Sequence, residues 1–192
     1  MFESMSAQLS LTPTPIEGLQ RIDRILYHDE RGYLTRLFCA DTCKAVCLDN
    51  PISQINHTVT STMGSIRGLH FQRPPKTETK IITCIKGSVF DVAVDLRKNS
   101  PTFMHWHSEI LSEENHSSLC IPDGFAHGFQ TLTDSVELIY LHTSSYAPEL
   151  EGGIHALDDT LKIDWPMKLT VMSPRDCALP RLDSSFSGIN VV

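Results

Sequence analysis

The feature that most constrains this chain is a succession of short period-two segments between Ile52 and His142, each closed by turn residues. The clearest is Val89 to Leu96, where Phe90, Val92, Val94 and Leu96 fall on one face and Asp91 and Asp95 on the other. Before it, Lys80 to Lys86 puts Lys80, Ile82 and Cys84 on one side, and Ile52 to Thr60 separates Gln54, Asn56 and Thr58 from Ile55 and Val59. Further strands are expected at Met104 to Leu111, Ser118 to Ile121, Gly124 to Thr131 and Val136 to His142. Turns such as Pro122-Asp123-Gly124 and Thr133-Asp134-Ser135 separate them. Many short strands at even spacing indicate an all-β sandwich or barrel.

The flanks are less regular. Thr12-Pro13-Thr14-Pro15-Ile16 is extended by its prolines, so residues 1–15 read as an N-terminal arm. Leu19 to Leu26 forms a first strand, His28 to Gly32 a polar turn, and Ala40 to Asp49 the early helix. Beyond Tyr146 the pattern loosens, Ser173-Pro174-Arg175-Asp176 reads as a turn or helix start, and residues 183–192 are expected to be poorly ordered.

With 192 residues the chain fits one domain, 1–192, large enough for a core without disulfides. It lacks the run of about eighteen apolar residues that a membrane helix needs. Nothing near Met1 resembles an export signal, so a soluble cytoplasmic protein without membrane partners is expected. In that compartment Cys39, Cys43, Cys47, Cys84, Cys120 and Cys177 should stay reduced, and they read as core or surface thiols. A net charge of −7 argues against nucleic-acid binding, which needs a basic face. An anionic ligand would therefore require a local cationic pocket.

One stretch does suggest chemistry. Arg67-Gly68-Leu69-His70-Phe71-Gln72, with Lys80 downstream, supplies an anion binder, a proton carrier and a cation within a hairpin's length. Arg67 and His70 are three apart and would face opposite sides of a regular strand. If both line one pocket the backbone must bend, and Gly68 is the place for it.

That stretch, Asp91-Val92-Ala93-Val94-Asp95-Leu96-Arg97, the segment from Ile121 through His127 to Phe129, and Tyr140 with Tyr146-Ala147-Pro148 occur in this order. Together with Trp165-Pro166 and the segment Ser173 to Asp176 they resemble the dTDP-4-dehydrorhamnose 3,5-epimerase family over roughly residues 15–180. The resemblance implies a cupin-type jelly-roll β-barrel with a few short peripheral helices, usually a homodimer. It would act without metal or cofactor on a nucleotide-diphosphate sugar carrying a 4-keto-6-deoxy ring. By position, His70 resembles the family's base, Asp176 its dyad partner, Lys80 the cation near the C4 oxygen and Tyr140 the acid on the opposite face. Among substrate-binding positions, His127 matches a second pocket histidine. Arg67 matches a diphosphate-binding arginine, as does Arg31, which would reach over from a partner subunit. Gln54, Asn56 and Tyr146 match further substrate-binding residues.

The residue types suit the reaction. Inverting a carbon beside a ketone requires a base near neutrality, a group that stabilises an enolate oxygen, and an acid across the ring. An aspartate on the far nitrogen of the base fixes its tautomer. Two departures from the family pattern stand out, Leu34 and Arg36 after the Arg31-Gly32 turn, where an aromatic and an acidic residue are common. They leave open which nucleotide and sugar are accepted, and whether one carbon or two is inverted. A rival reading is a metal-binding cupin with His105, His107 and Glu109 on one strand face. A non-catalytic nucleotide-sugar binder would have no need of base, dyad and acid together.

Overall fold

The computed structural model describes residues 9–44 and 50–191. Among them the strands, in chain order, are β1 (Leu9–Pro13), β2 (Gln20–Arg24), β3 (Leu26–Asp29), β4 (Gly32–Thr35), β5 (Gln54–Thr60), β6 (Ile66–Gln72) and β7 (Lys80–Lys86). They continue as β8 (Ser88–Asp95), β9 (Trp106–Ser112), β10 (Ser117–Ile121), β11 (Phe125–Thr131), β12 (Val136–His142) and β13 (Glu151–Gly153). Two short helices complete them, α1 (Ala40–Lys44) and α2 (Pro174–Cys177).

Antiparallel pairing assembles a six-stranded sheet, β1-β2-β10-β7-β12-β5, and a five-stranded sheet, β13-β6-β11-β8-β9, while β3 and β4 form a separate hairpin. This is the cupin-type jelly roll. From β5 to β13 consecutive strands alternate between the two sheets, except that β8 pairs with β9, so the two walls face each other with alternate side chains pointing inward.

Both sheet faces are covered, which period-two alternation alone does not reveal. The inner core joins Ile82, Cys84, Val89, Ala93, Leu111, Leu119, Phe129 and Leu138. A second cluster covers the outside of the five-stranded sheet, with Leu69, Val92, Val94, Leu96 and Ala126 packed under Ile154, Leu161 and Ile189. A third sits outside the six-stranded sheet, where Leu9, Ile22, Ile81 and Leu141 meet Cys43 of α1. The apolar stripe of β8 therefore faces the C-terminal segment, and the barrel interior receives its other face, Val89, Asp91 and Ala93.

Asp95 anchors this packing. Fully buried, it accepts hydrogen bonds from Arg97 Nε at 2.9 Å, Arg97 Nη2 at 2.8 Å, Ser100 Oγ at 2.6 Å and Thr102 Oγ1 at 2.7 Å. Burial opposes its charge, but these donors outweigh it and hold the carboxyl below its usual range.

Three expectations about the flanks change. Residues 9–13, assigned to a loose arm, pair along their length with β2; residues 1–8 lie outside the described part. The tail is packed, because Ile189 is buried, bridges to Arg97 and joins the second cluster; Val192 lies outside the described residues. Of the helix expected over Ala40 to Asp49, Ala40–Lys44 is helical and residues 45–49, with Cys47, lie outside them. Cys39, Cys84 and Cys177 are free thiols, and burial pushes that of Cys84 up to about 11. Among the described residues no helix is long and apolar enough to cross a membrane.

Candidate active site

Between the two sheets lies a cavity of about 630 Å3. The five-stranded wall contributes Arg67 and His70 from β6 and His127 from β11. Facing them from the six-stranded wall are Tyr140 and His142 of β12, Lys80 of β7 and Asn56 of β5. Arg67 and His70 share the cavity because β6 bulges between them. His127 pairs with His70 and Phe129 with Arg67, so three steps on β6 match two on β11. Gly68 makes this bend at φ +115°, and a Cβ there would sit 2.7 Å from both Gly128 Cα and His127 O. The bend expected at Gly68 is present.

Asp176 arrives from more than a hundred residues away. The backbone of Ile66 donates to Val171 O at 2.9 Å, which ties the C-terminal segment to the start of β6. Ser173 then caps α2, accepting from Asp176 N at 3.0 Å, and proline follows the cap. This holds Asp176 Oδ1 at 2.8 Å from His70 Nε2, while Gly68 N donates to Oδ2 at 3.3 Å. Burial raises the Asp176 pKa, yet His70 and the Gly68 amide outweigh it and keep the carboxyl below its ordinary value. An ionised carboxylate only accepts, so Nε2 is the ring nitrogen that donates to it, and in the neutral imidazole the lone pair is on Nδ1.

Tyr140 stands on the other wall, with the His127 ring edge-on at 5.8 Å and the His142 ring stacked at 5.9 Å. Burial and the nearby Asp91 carboxylate push its phenol well above the ordinary tyrosine range, so it stays protonated and can act as an acid. His127 Nε2 lies 2.9 Å from each oxygen of Asp91, whose own pKa is raised by burial. Lys80, 7% exposed, reaches from the opposite sheet to His70 O at 3.4 Å and pairs with Glu78 at 3.2 Å. Arg67 is held against β5 by Thr60 Oγ1 at 3.0 Å and Val59 O at 3.1 Å. At the mouth Tyr146, half exposed, donates to Glu151 Oε2 at 2.7 Å, and Arg175 pairs with the same carboxylate. The cations missing from the net charge are thus gathered locally, as Arg67, Lys80 and Arg175.

A base with a fixed tautomer on one wall, an acid on the other and a cation between them can move a proton from one face of a ligand to the other. Two expected residues lie elsewhere. Arg31 sits on the exposed β3–β4 hairpin, pairs with Asp29 and does not line this cavity. Gln54 is one step removed, with Nε2 donating to Asn56 Oδ1 at 3.1 Å and Oε1 accepting from Tyr146 N at 2.9 Å. For the metal reading, His107 bonds Glu109 at 2.8 Å, but His105 precedes the strand and is exposed. No group of three or more metal-ligating side chains occurs among the described residues. Sequence reasoning missed Glu78, His142, Asp91, Glu151 and Arg175. The alternation placing His142 on the face of Tyr140, and Glu78 on that of Lys80, could have found the first two.

Comparison with known proteins identifies the family. The family model described as dTDP-4-dehydrorhamnose 3,5-epimerase matches residues 13–184. The chain belongs to this family. A relative named dTDP-4-dehydrorhamnose 3,5-epimerase, from Salmonella typhimurium, is 39% identical over 90% of this chain and 95% of its own. The solved epimerase from Legionella pneumophila, in complex with dTDP-4-keto-L-rhamnose, superposes with a TM-score of 0.88. It shares 37% identity over 96% of this chain and 100% of that one. Another relative, from Streptomyces niveus, is named a dTDP-4-dehydrorhamnose 3-epimerase and is 37% identical over 88% of this chain and 81% of its own. The family therefore includes members named for one inversion as well as two.

Proposed function

We propose that this protein is an isomerase that inverts carbons 3 and 5 of a dTDP-linked 4-keto-6-deoxy sugar, of the dTDP-4-dehydro-6-deoxyglucose type. The observation that carries this reading is a histidine–aspartate dyad and a protonated tyrosine on facing sheets of one cavity, with a lysine between them. His70 takes the proton from a carbon beside the ketone. The C–H electron pair becomes the enolate double bond, and negative charge moves to the C4 oxygen beside Lys80. Tyr140 returns a proton to that carbon from the other face and is reprotonated from solvent, while His70 releases its proton. Both C3 and C5 adjoin C4, so one enolate chemistry serves both. Proton transfers of this kind require no metal or redox cofactor.

The diphosphate is assigned to Arg67, and the base to the exposed ring of Tyr146 at the mouth, with Asn56, Gln54 and His127 completing the polar lining. Arg31 acts in trans in a cytoplasmic homodimer. Supporting this, its side chain is 84% exposed, and the β5 edge carries the exposed apolar residues Ile55 and Val59. A monomer in sedimentation at micromolar concentration would refute it. Inversion at C3 alone is a second reading, favoured by the Streptomyces niveus relative. Turnover in heavy water decides between them. Deuterium at C3 and C5 of the product is expected; label at one carbon establishes the single inversion, and at neither refutes both.

A further inference from the structure

The acid side of the cavity contains a charge cluster of which the mechanism above uses only Lys80. His142 lies beside Lys80 across the β12–β7 ladder and two residues beyond Tyr140, so all three share the inner face. Glu78 joins them, with Oε1 3.2 Å from Lys80 Nζ and Oε2 2.9 Å from His142 Nδ1. The other side of the imidazole meets Asn56 Nδ2 at 3.4 Å, and its ring lies 7° from parallel with that of Tyr140. Burial works against the Glu78 charge, yet His142 and Lys80 outweigh it, so the carboxylate is ionised inside the cavity wall.

We propose that Glu78 and His142 are positioning residues for proton return. Glu78 balances the Lys80 charge and clamps the imidazole, and the imidazole holds the Tyr140 ring at a fixed place relative to that cation. Neither residue takes or gives a proton in the reaction. Both act through Lys80 and Tyr140. A change at Lys80 bears on removal and return alike, because both pass through the enolate beside it, whereas loss of the clamp on Tyr140 bears on return alone.

The inference rests on the proposed epimerase reading, and its test separates the two. His142→Phe keeps a flat ring against Tyr140 but cannot bond Glu78; Glu78→Gln keeps the shape and removes the charge. Each variant turns over a dTDP-4-keto-6-deoxy sugar in heavy water, and two quantities are followed: deuterium washed into recovered, uninverted substrate and deuterium in inverted product. The expected result is a kcat about tenfold lower with KM within about twofold. The ratio of wash-in to inversion should rise several-fold in both variants, because a change at Lys80 scales removal and return together while loss of the clamp on Tyr140 slows only return across the ring. A loss of kcat with an unchanged ratio would reduce the pair to a structural role and overturn the proposal, as would wild-type kcat in both variants. If His142→Phe does not fold, the isosteric Glu78→Gln carries the test alone. Wild-type protein exchanging neither carbon would refute the epimerase reading itself, whatever the variants do.

Discussion

Replacing Gly68 with alanine tests the link between backbone shape and chemistry. The residue sits at φ +115°, a region populated almost only by glycine, and forcing an L side chain there costs about 1–3 kcal/mol. The added Cβ would also lie 2.7 Å from Gly128 Cα and His127 O, both backbone atoms of the neighbouring strand. Relieving that overlap adds about 1–3 kcal/mol. At ~2–4 °C of melting temperature per kcal/mol for a domain of this size, the total of ~2–6 kcal/mol corresponds to a drop on the order of 10 °C. Because the bend aims both Arg67 and His70, kcat should fall by about 100-fold even well below the melting temperature. Gly128→Ala is the control. Its Cβ meets Arg67 O and Leu69 Cδ2 at 2.7 Å, but its φ is not in the glycine region, so it should cost only the overlap, about 1–3 kcal/mol. Differential scanning calorimetry with steady-state kinetics reads both. A Gly68→Ala protein with wild-type melting and turnover, or one more stable than Gly128→Ala, would refute the reasoning.

Other outcomes follow from the same geometry. His70→Ala and Asp176→Asn should each lower kcat by about 10²–10⁴-fold while dTDP still binds in calorimetry, because the dyad acts on proton transfer. In the same titration Arg67→Ala should weaken dTDP about tenfold or more through lost diphosphate pairing; unchanged affinity would remove Arg67 from that role. The Tyr140 pKa is raised in the folded state, so the neutral phenol's contribution to stability is fully present below the unfolded value of about 10 and declines as pH rises beyond it. Denaturant titrations from pH 9 to 11 should therefore show wild type losing stability more steeply than Tyr140→Phe, and parallel curves would contradict the shift.

Much of this fold was legible locally. Strand pairing imposes a two-residue period, so β7, β8 and β12 could be delimited within a residue or two, and the same alternation directed Lys80 inward. The resemblance added roles that spacing could not. Where reading failed, the missing information was long-range. The proline-punctuated residues 9–13 look like a free arm until β2 offers them an edge, and the polar tail looks loose until Ile189 finds the outer face of β8. Arg31 is a site residue only by resemblance, as one reaching over from a partner subunit, and a single chain carries it away from its own cavity.

By itself, then, the sequence determined the all-β class, the residue types for a proton transfer and the position of the glycine hinge, because alternation and local backbone freedom are short-range properties. Only the tertiary structure decided that Asp176 meets His70, that Glu78 and His142 gather around Lys80 and Tyr140, and that base and acid occupy opposite walls. Those relations depend on which strands become neighbours when two sheets close over a common core. That choice is settled by the burial of both faces of every central strand, and no window of sequence contains it.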